Sequence, residues 1–266
     1  MRFDMCTSYT YSSDTQGVRR TPNSDERFHM TTTRKIGKIA GILYFITWVT
    51  SIAGLAFYGS ILKHSDYLSG SVSNGHLLTG AFLEIILAIA NIGTALALYP
   101  IVRRASESLA MGYVALRTLE SALIAVGVLP ILALVTLRQD VTDLASSNAL
   151  GRALVSLHNW SFVVGPNFIC AADTLVLAFL LFRSGLVARF IPILGLVGGS
   201  LLAVQASLIL FGVLDQSAPS TALLSIPVFA WEISLGTYMF RKGFKVSALA
   251  KLDGAKIAKE VNLVTV

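Results

Sequence analysis

Five ionisable side chains lie inside long apolar stretches of this chain: Glu84, Arg117, Glu120, Asp173 and Glu232. A charge in hydrocarbon costs about 2.5–3.5 kcal/mol on insertion scales, so such residues face a partner or a polar cavity and mark functional positions. Arg117 and Glu120 are three residues apart and share one helix face. Counted at 1.5 Å per residue from Met111, Arg183 and Arg241, the ends of three stretches on one side, Arg117, Glu120, Asp173 and Glu232 fall in one layer roughly 9–15 Å deep. The fork of donors on Arg117 serves one carboxylate, or two. Three acids against one arginine leave an excess of negative charge, which a proton, a cation or a polar solute would neutralise. A buried ion pair that fixes helix register is the competing, purely structural reading. Asn167 and Cys170 fall roughly in line with Asp173 and extend that wall. Glu84 lies nearer the opposite surface, with Asn91 seven residues on along the same face, and forms a secondary polar site.

Three histidines, His64, His76 and His158, fall at or near the outer ends of the apolar stretches, with Asp66 nearby. They are weak metal candidates, because no HxxxH pair or paired cysteine accompanies them. An intramembrane enzyme built on those histidines is the third functional alternative, after transport or sensing and after a non-catalytic scaffold or subunit. Nothing matches a Gly-rich phosphate loop or a nucleophile elbow, so no cofactor is expected. Two cysteines, Cys6 in a polar segment and Cys170 in a span, do not make a disulfide framework.

The elements that must hold these residues are transmembrane helices. The chain of 266 residues is 54% hydrophobic and 14% charged, against about 25% charged in soluble domains. Six apolar runs, at 39–62, 77–101, 111–137, 156–182, 188–213 and 221–240, are each long enough to cross about 30 Å of hydrocarbon. The spacing predicts an all-α, six-transmembrane-helix bundle. Seventeen of the 21 basic residues lie in the two end segments and in or at the edge of the gaps after runs two and four, three lie in the other gaps, and Arg117 is deep inside a run. Cytoplasmic loops collect Lys and Arg, so both termini are expected in the cytoplasm. The same placement explains the net charge of +6 without nucleic acid; the lipid bilayer is the expected partner, with a small polar solute, ion or proton in the charge layer.

Residues 1–33 are polar and lack apolar periodicity, and read as a disordered tail. Met30 opens a compact basic lead-in, MTTTRKIGK, and is an alternative start. The membrane domain is set at 34–244 and a basic cytoplasmic tail at 245–266. Within the first run, Gly37, Gly41, Tyr44, Thr47, Ser51, Gly54 and Tyr58 form a small or polar stripe. The fifth run repeats the pattern with Gly195, Gly199, Leu202 and Gln205. Such stripes make close helix seams, or else line a polar cavity. Pro166 after Gly165 predicts a kink in the fourth span.

Several segments resemble a family of bacterial multi-pass membrane proteins catalogued only as a domain of unknown function. They are RKIGKIAGILYFIT at 34–47, NIGTALALYPIVRR at 91–104, LRTLESALIAVG at 116–127, FLLFRSGLVARFIPILGLVGG at 179–199 and the closing WEISLGTYMFRKGF. The resemblance covers 34–244, includes Arg117, Glu120 and Glu232, and implies a bacterial plasma-membrane location. It implies no activity.

Overall fold

A computed structural model describes residues 24–62, 72–139 and 143–264. Among these residues the secondary structure is entirely helical. Helix α1 (Ser24–Tyr58) ends in a 3-10 turn, Gly59–Leu62. It is followed by α2 (Asn74–Val102), α3 (Glu107–Leu137) and α4 (Leu144–Phe162). A π-helical segment, Val163–Ile169, continues into α5 (Cys170–Ser184), and α6 (Phe190–Leu210), α7 (Pro219–Arg241) and α8 (Val246–Val264) complete the chain. Six stretches are long and apolar enough to cross a membrane, α4, the π segment and α5 together counting as one. This is the six-helix bundle that the apolar runs predict.

Each span packs on the next in order, and α7 returns to α1, so the six form a closed ring. Helix α3 also touches α5 and the π segment, which brings the third and fourth spans together over much of their length. The ring has two ends. Gly37 meets Gly243 at the end that carries the N-terminal part of α1 and all of α8. At the far end the Asn159 side chain donates to the Leu62 carbonyl, Gln216 donates to the Asn159 carbonyl, and Arg138 donates to the Val72 carbonyl. Outward faces carry exposed Ile42, Val49, Phe82, Ile89, Leu129 and Val204, the coat expected of helices solvated by lipid.

Boundaries differ from the apolar runs in three places. Helix α1 starts at Ser24, so its first turns come from the segment read as tail; residues 1–23 lie outside the described residues. The fourth span starts at Leu144, twelve residues before the apolar run. Its opening turns contain Ser146, Ser147, Asn148 and an exposed Arg152, which lower the hydropathy without breaking the helix. Asp143 caps this start, its carboxylate accepting from the Ala145 and Ser146 amides and the Ser146 hydroxyl. The 245–266 segment is largely helix α8, held to the bundle by Lys245 N–H on the Leu186 carbonyl and an Arg104–Asp253 ion pair of 3.0 Å.

The glycine stripe of α1 divides along its length. At Gly41 an added Cβ would lie 2.7 Å from Phe240 Cβ and 2.8 Å from the Gly236 carbonyl, so the near half is a seam against α7. In the far half, Thr47, Ser51 and Tyr58 face an internal cavity.

Candidate functional site

Arg117 is the hub of the inner layer. It is 2% exposed, and its guanidinium reaches three helices. Nη1 donates to Glu120 Oε2 at 2.9 Å and lies 3.5 Å from both oxygens of Asp173 on α5; Nη2 lies 3.5 Å from Glu232 Oε1 on α7. Glu120 takes a second donor from α2, the Asn91 side-chain amide at 3.3 Å. The four charges placed in one layer by depth are thus in contact. Asn91, expected to belong with Glu84, is tied into that layer as well.

Helix geometry explains the convergence. Arg117 and Glu120 are one turn apart on α3. The π segment puts Pro166 where a kink is expected, yet the chain stays helical with a wider turn. The Cys170 amide donates back to the Gly165 carbonyl, five residues earlier. One extra residue in that turn rotates the helix beyond it, and brings Asp173 onto Arg117. π turns of this kind often mark functional positions. Gly165 lets this turn approach α3, because a Cβ there would meet Leu123 Cβ at 2.8 Å.

Ligand atoms of Glu120, Cys170 and Asp173 lie within 4.8 Å of one another, a set that a metal ion can use. Arg117 Nη1 lies 2.9–4.0 Å from atoms of all three. The guanidinium therefore stands where a metal would.

A second polar group lies toward the far end. Tyr58 Oη donates to Glu84 Oε2 at 2.7 Å, and His158 Nε2 lies 3.8 Å from Glu84 Oε1. His158 Nδ1 is 2.8 Å from the Gly127 carbonyl. That carbonyl can only accept, so Nδ1 carries the hydrogen. Tyr58 and Phe162 flank the imidazole at ring-centroid distances of 5.2 and 4.7 Å. The Tyr58 ring fits because residue 80 is glycine; an added Cβ would lie 2.5 Å from Tyr58 Cε1.

The two described outer histidines stand in different surroundings. His158 is buried and bound inside the bundle, whereas His76 is exposed at the start of α2 beside Phe57. The metal candidate among the described residues includes neither, and His64 and Asp66 lie outside the described residues.

One cavity of about 350 Å³ joins both groups. Arg117, Glu120, Glu232, Asn167 and Cys170 line its inner part, and Glu84, Tyr58 and His158 line its outer part. Asn91 lies between. Asp173 is absent from the lining and sits behind Arg117. Exposed Gln216 and half-buried Asn159 belong to the wall at the far end, so the cavity reaches the surface there.

Residues 39–243, most of the chain, match the family model described as Domain of unknown function (DUF4386). The chain belongs to that family. Its matched region holds all six spans apart from the first turns of α1, and every residue of both polar groups. No curated protein and no solved structure matches the chain.

Sequence reasoning does not connect Tyr58, Glu84 and His158. Tyr58 ends the α1 stripe and Gly80 stands one turn before Glu84, but only the packed bundle brings His158 to them. Trp48, Ser225 and Phe229 also line the cavity, and no sequence pattern marks them.

Proposed function

We propose that this is a multi-pass transport or sensing protein that admits a small cation, a protonated solute or a proton into the internal cavity. The carrying observation is the charge count in that one space. Arg117, Glu120 and Glu232 line it together with Glu84, and Asp173 adds a third carboxylate to the Arg117 cluster. When its acids are ionised, this set of four carboxylates and one arginine carries net negative charge, which a cation or a proton neutralises. Water-poor surroundings make such an excess costly, so a positive occupant stabilises the folded state. The basic asymmetry of the loops supports an orientation with both termini cytoplasmic in a bacterial plasma membrane, the cavity then opening outward.

A scaffold or subunit role is favoured by one feature, the full burial of Asp173 behind Arg117. That pair ties α3 to α5 whether or not anything binds. The enzyme reading draws less support, since His158 points inward to Glu84 and His76 is exposed at the start of α2.

The test is thermal unfolding of the purified protein in nanodiscs with sodium, methylammonium, guanidinium and chloride-matched controls. A ligand that binds only the folded form raises the midpoint in a saturable way. At least one cation should do so, and Glu232→Gln should abolish the shift while leaving a folded protein. Identical midpoints in all cations would contradict the reading and favour the scaffold.

A further inference from the structure

Two stations in the cavity differ in what they lack. At the outer station, His158 Nδ1 is committed to the Gly127 carbonyl. The neutral ring then offers Nε2 as an acceptor. Nε2 faces Glu84 Oε1, a second acceptor, across 3.8 Å, which is too far for a direct hydrogen bond. With Glu84 ionised, two acceptors face each other here and no described donor lies between them. Tyr58, the donor that Glu84 does have, binds the other oxygen, Oε2. A primary ammonium, with three N–H donors and a positive charge, satisfies both acceptors at once.

At the inner station Glu232 is the least satisfied acid. Its one described contact with Arg117 is 3.5 Å, and its side chain is 17% exposed where Arg117 and Glu120 are nearly sealed. It lines the same cavity as Glu84. The stations are about one heptad apart. Asn91, seven residues after Glu84 on α2, is bonded to Glu120 in the inner layer; seven residues along a helix span roughly 10 Å. The cavity wall is mixed: Leu87, Ile124, Phe162, Leu202, Val228 and Phe229 supply apolar or aromatic surface, and Thr47, Ser51, Asn91 and Ser225 interrupt it with polar groups.

Building on the cation reading above, we propose that the cavity takes a linear aliphatic dication, with one terminal ammonium between Glu84 and His158 and the other on Glu232. The methylene chain would lie against the apolar part of the wall. Both stations are acidic, so a molecule with a cation at one end and an anion at the other is disfavoured. A single small cation fills one station only.

The test is calorimetric titration of the full-length protein in nanodiscs with 1,6-diaminohexane and 1,8-diaminooctane, against hexylamine and octylamine. Empty nanodiscs correct for partitioning into lipid. The second ammonium binds as an intramolecular event, so each diamine should bind at least about tenfold tighter than its monoamine. In Glu84→Gln the advantage of the diamine over the monoamine should disappear, because only the Glu232 station remains to hold an ammonium. The wild-type ratio decides the matter even if that variant does not fold. Equal wild-type affinities for diamine and monoamine would overturn the two-station proposal and leave the single-cation reading standing. Binding of neither would overturn both.

Discussion

The two polar groups in the bundle are built on opposite principles. Around Arg117 the cation is part of the protein, and three carboxylates and an asparagine from four helices converge on it and on each other. Around Glu84 the protein supplies a phenol and an imidazole, neither permanently charged, and leaves two acceptors facing each other. The first group is a tie whose members are mutually satisfied except toward the cavity. The second is incomplete without a donor. A buried charge cluster is therefore not one kind of thing. Its own count of donors and acceptors separates a cluster balanced largely from within from one that lacks a donor.

Breaking the knot should have the largest effect. Arg117→Leu strands three carboxylates in the bundle, and removing one partner from a buried ion pair costs about 3–5 kcal/mol. Yield and thermal midpoint should fall steeply. Glu120→Gln keeps the shape and leaves Asp173 and Glu232 to balance the arginine, so its loss should be clearly smaller. Equal, severe unfolding by both would mean that the knot has no redundancy.

Disturbing the outer station should cost less. Gly80→Ala puts a methyl group into the Tyr58 ring and displaces the phenol from Glu84. Overpacking costs about 1–3 kcal/mol, against a helix-propensity gain of about 1 kcal/mol. Net destabilisation is expected in a denaturation curve. Gly112→Ala, where an added Cβ meets nothing within 4 Å, should show the propensity gain alone. A stabilised Gly80→Ala protein would show that the Tyr58 ring yields freely and that the station is not rigid.

The smallest effect belongs to Asp143, outside both groups. The Ser146 hydroxyl, then the Ser146 and Ala145 amides, hold its carboxyl below the usual carboxylate range. A depressed folded value means that the cap's stabilisation is present above the ordinary aspartate value, near 3.9, and is lost as pH falls through the lower folded one. Asp143→Ala should speed amide exchange at Ala145 and Ser146 at neutral pH, with cation binding untouched.

Most of the fold and about half of the site can be read from the chain itself. Apolar length alone sets the six spans, because lipid demands about 20 apolar residues whatever the packing. The Arg117 layer follows from depth, since helical rise converts sequence position into height. Depth does not reveal the azimuth of a helix. Glu84 and His158 lie on different helices, and nothing in either local pattern says that their faces meet. The π turn at Val163–Ile169 is also hidden, because Pro166 predicts a disturbance of the helix but not its form. His158 reads as an outer residue because the apolar run begins at 156, and its neighbour Asn159 does stand at the far end; what the sequence hides is that the imidazole turns inward to Glu84.

The most direct test of a cation-selective cavity open at the far end is the rate of thiol modification at its wall. Ser51 lines the cavity and is half-buried. In a protein with Cys6 and Cys170 replaced by Ala, Ser51→Cys would be treated in sealed vesicles of known sidedness. One arm uses a membrane-impermeant methanethiosulfonate bearing trimethylammonium, the other its sulfonate counterpart. The account predicts rapid labelling by the cationic reagent, only from the face opposite the termini, and at least about tenfold slower labelling by the anionic one, equivalent to about 1.4 kcal/mol. Equal rates for the two reagents, or reaction only from the face that carries the termini, would contradict it.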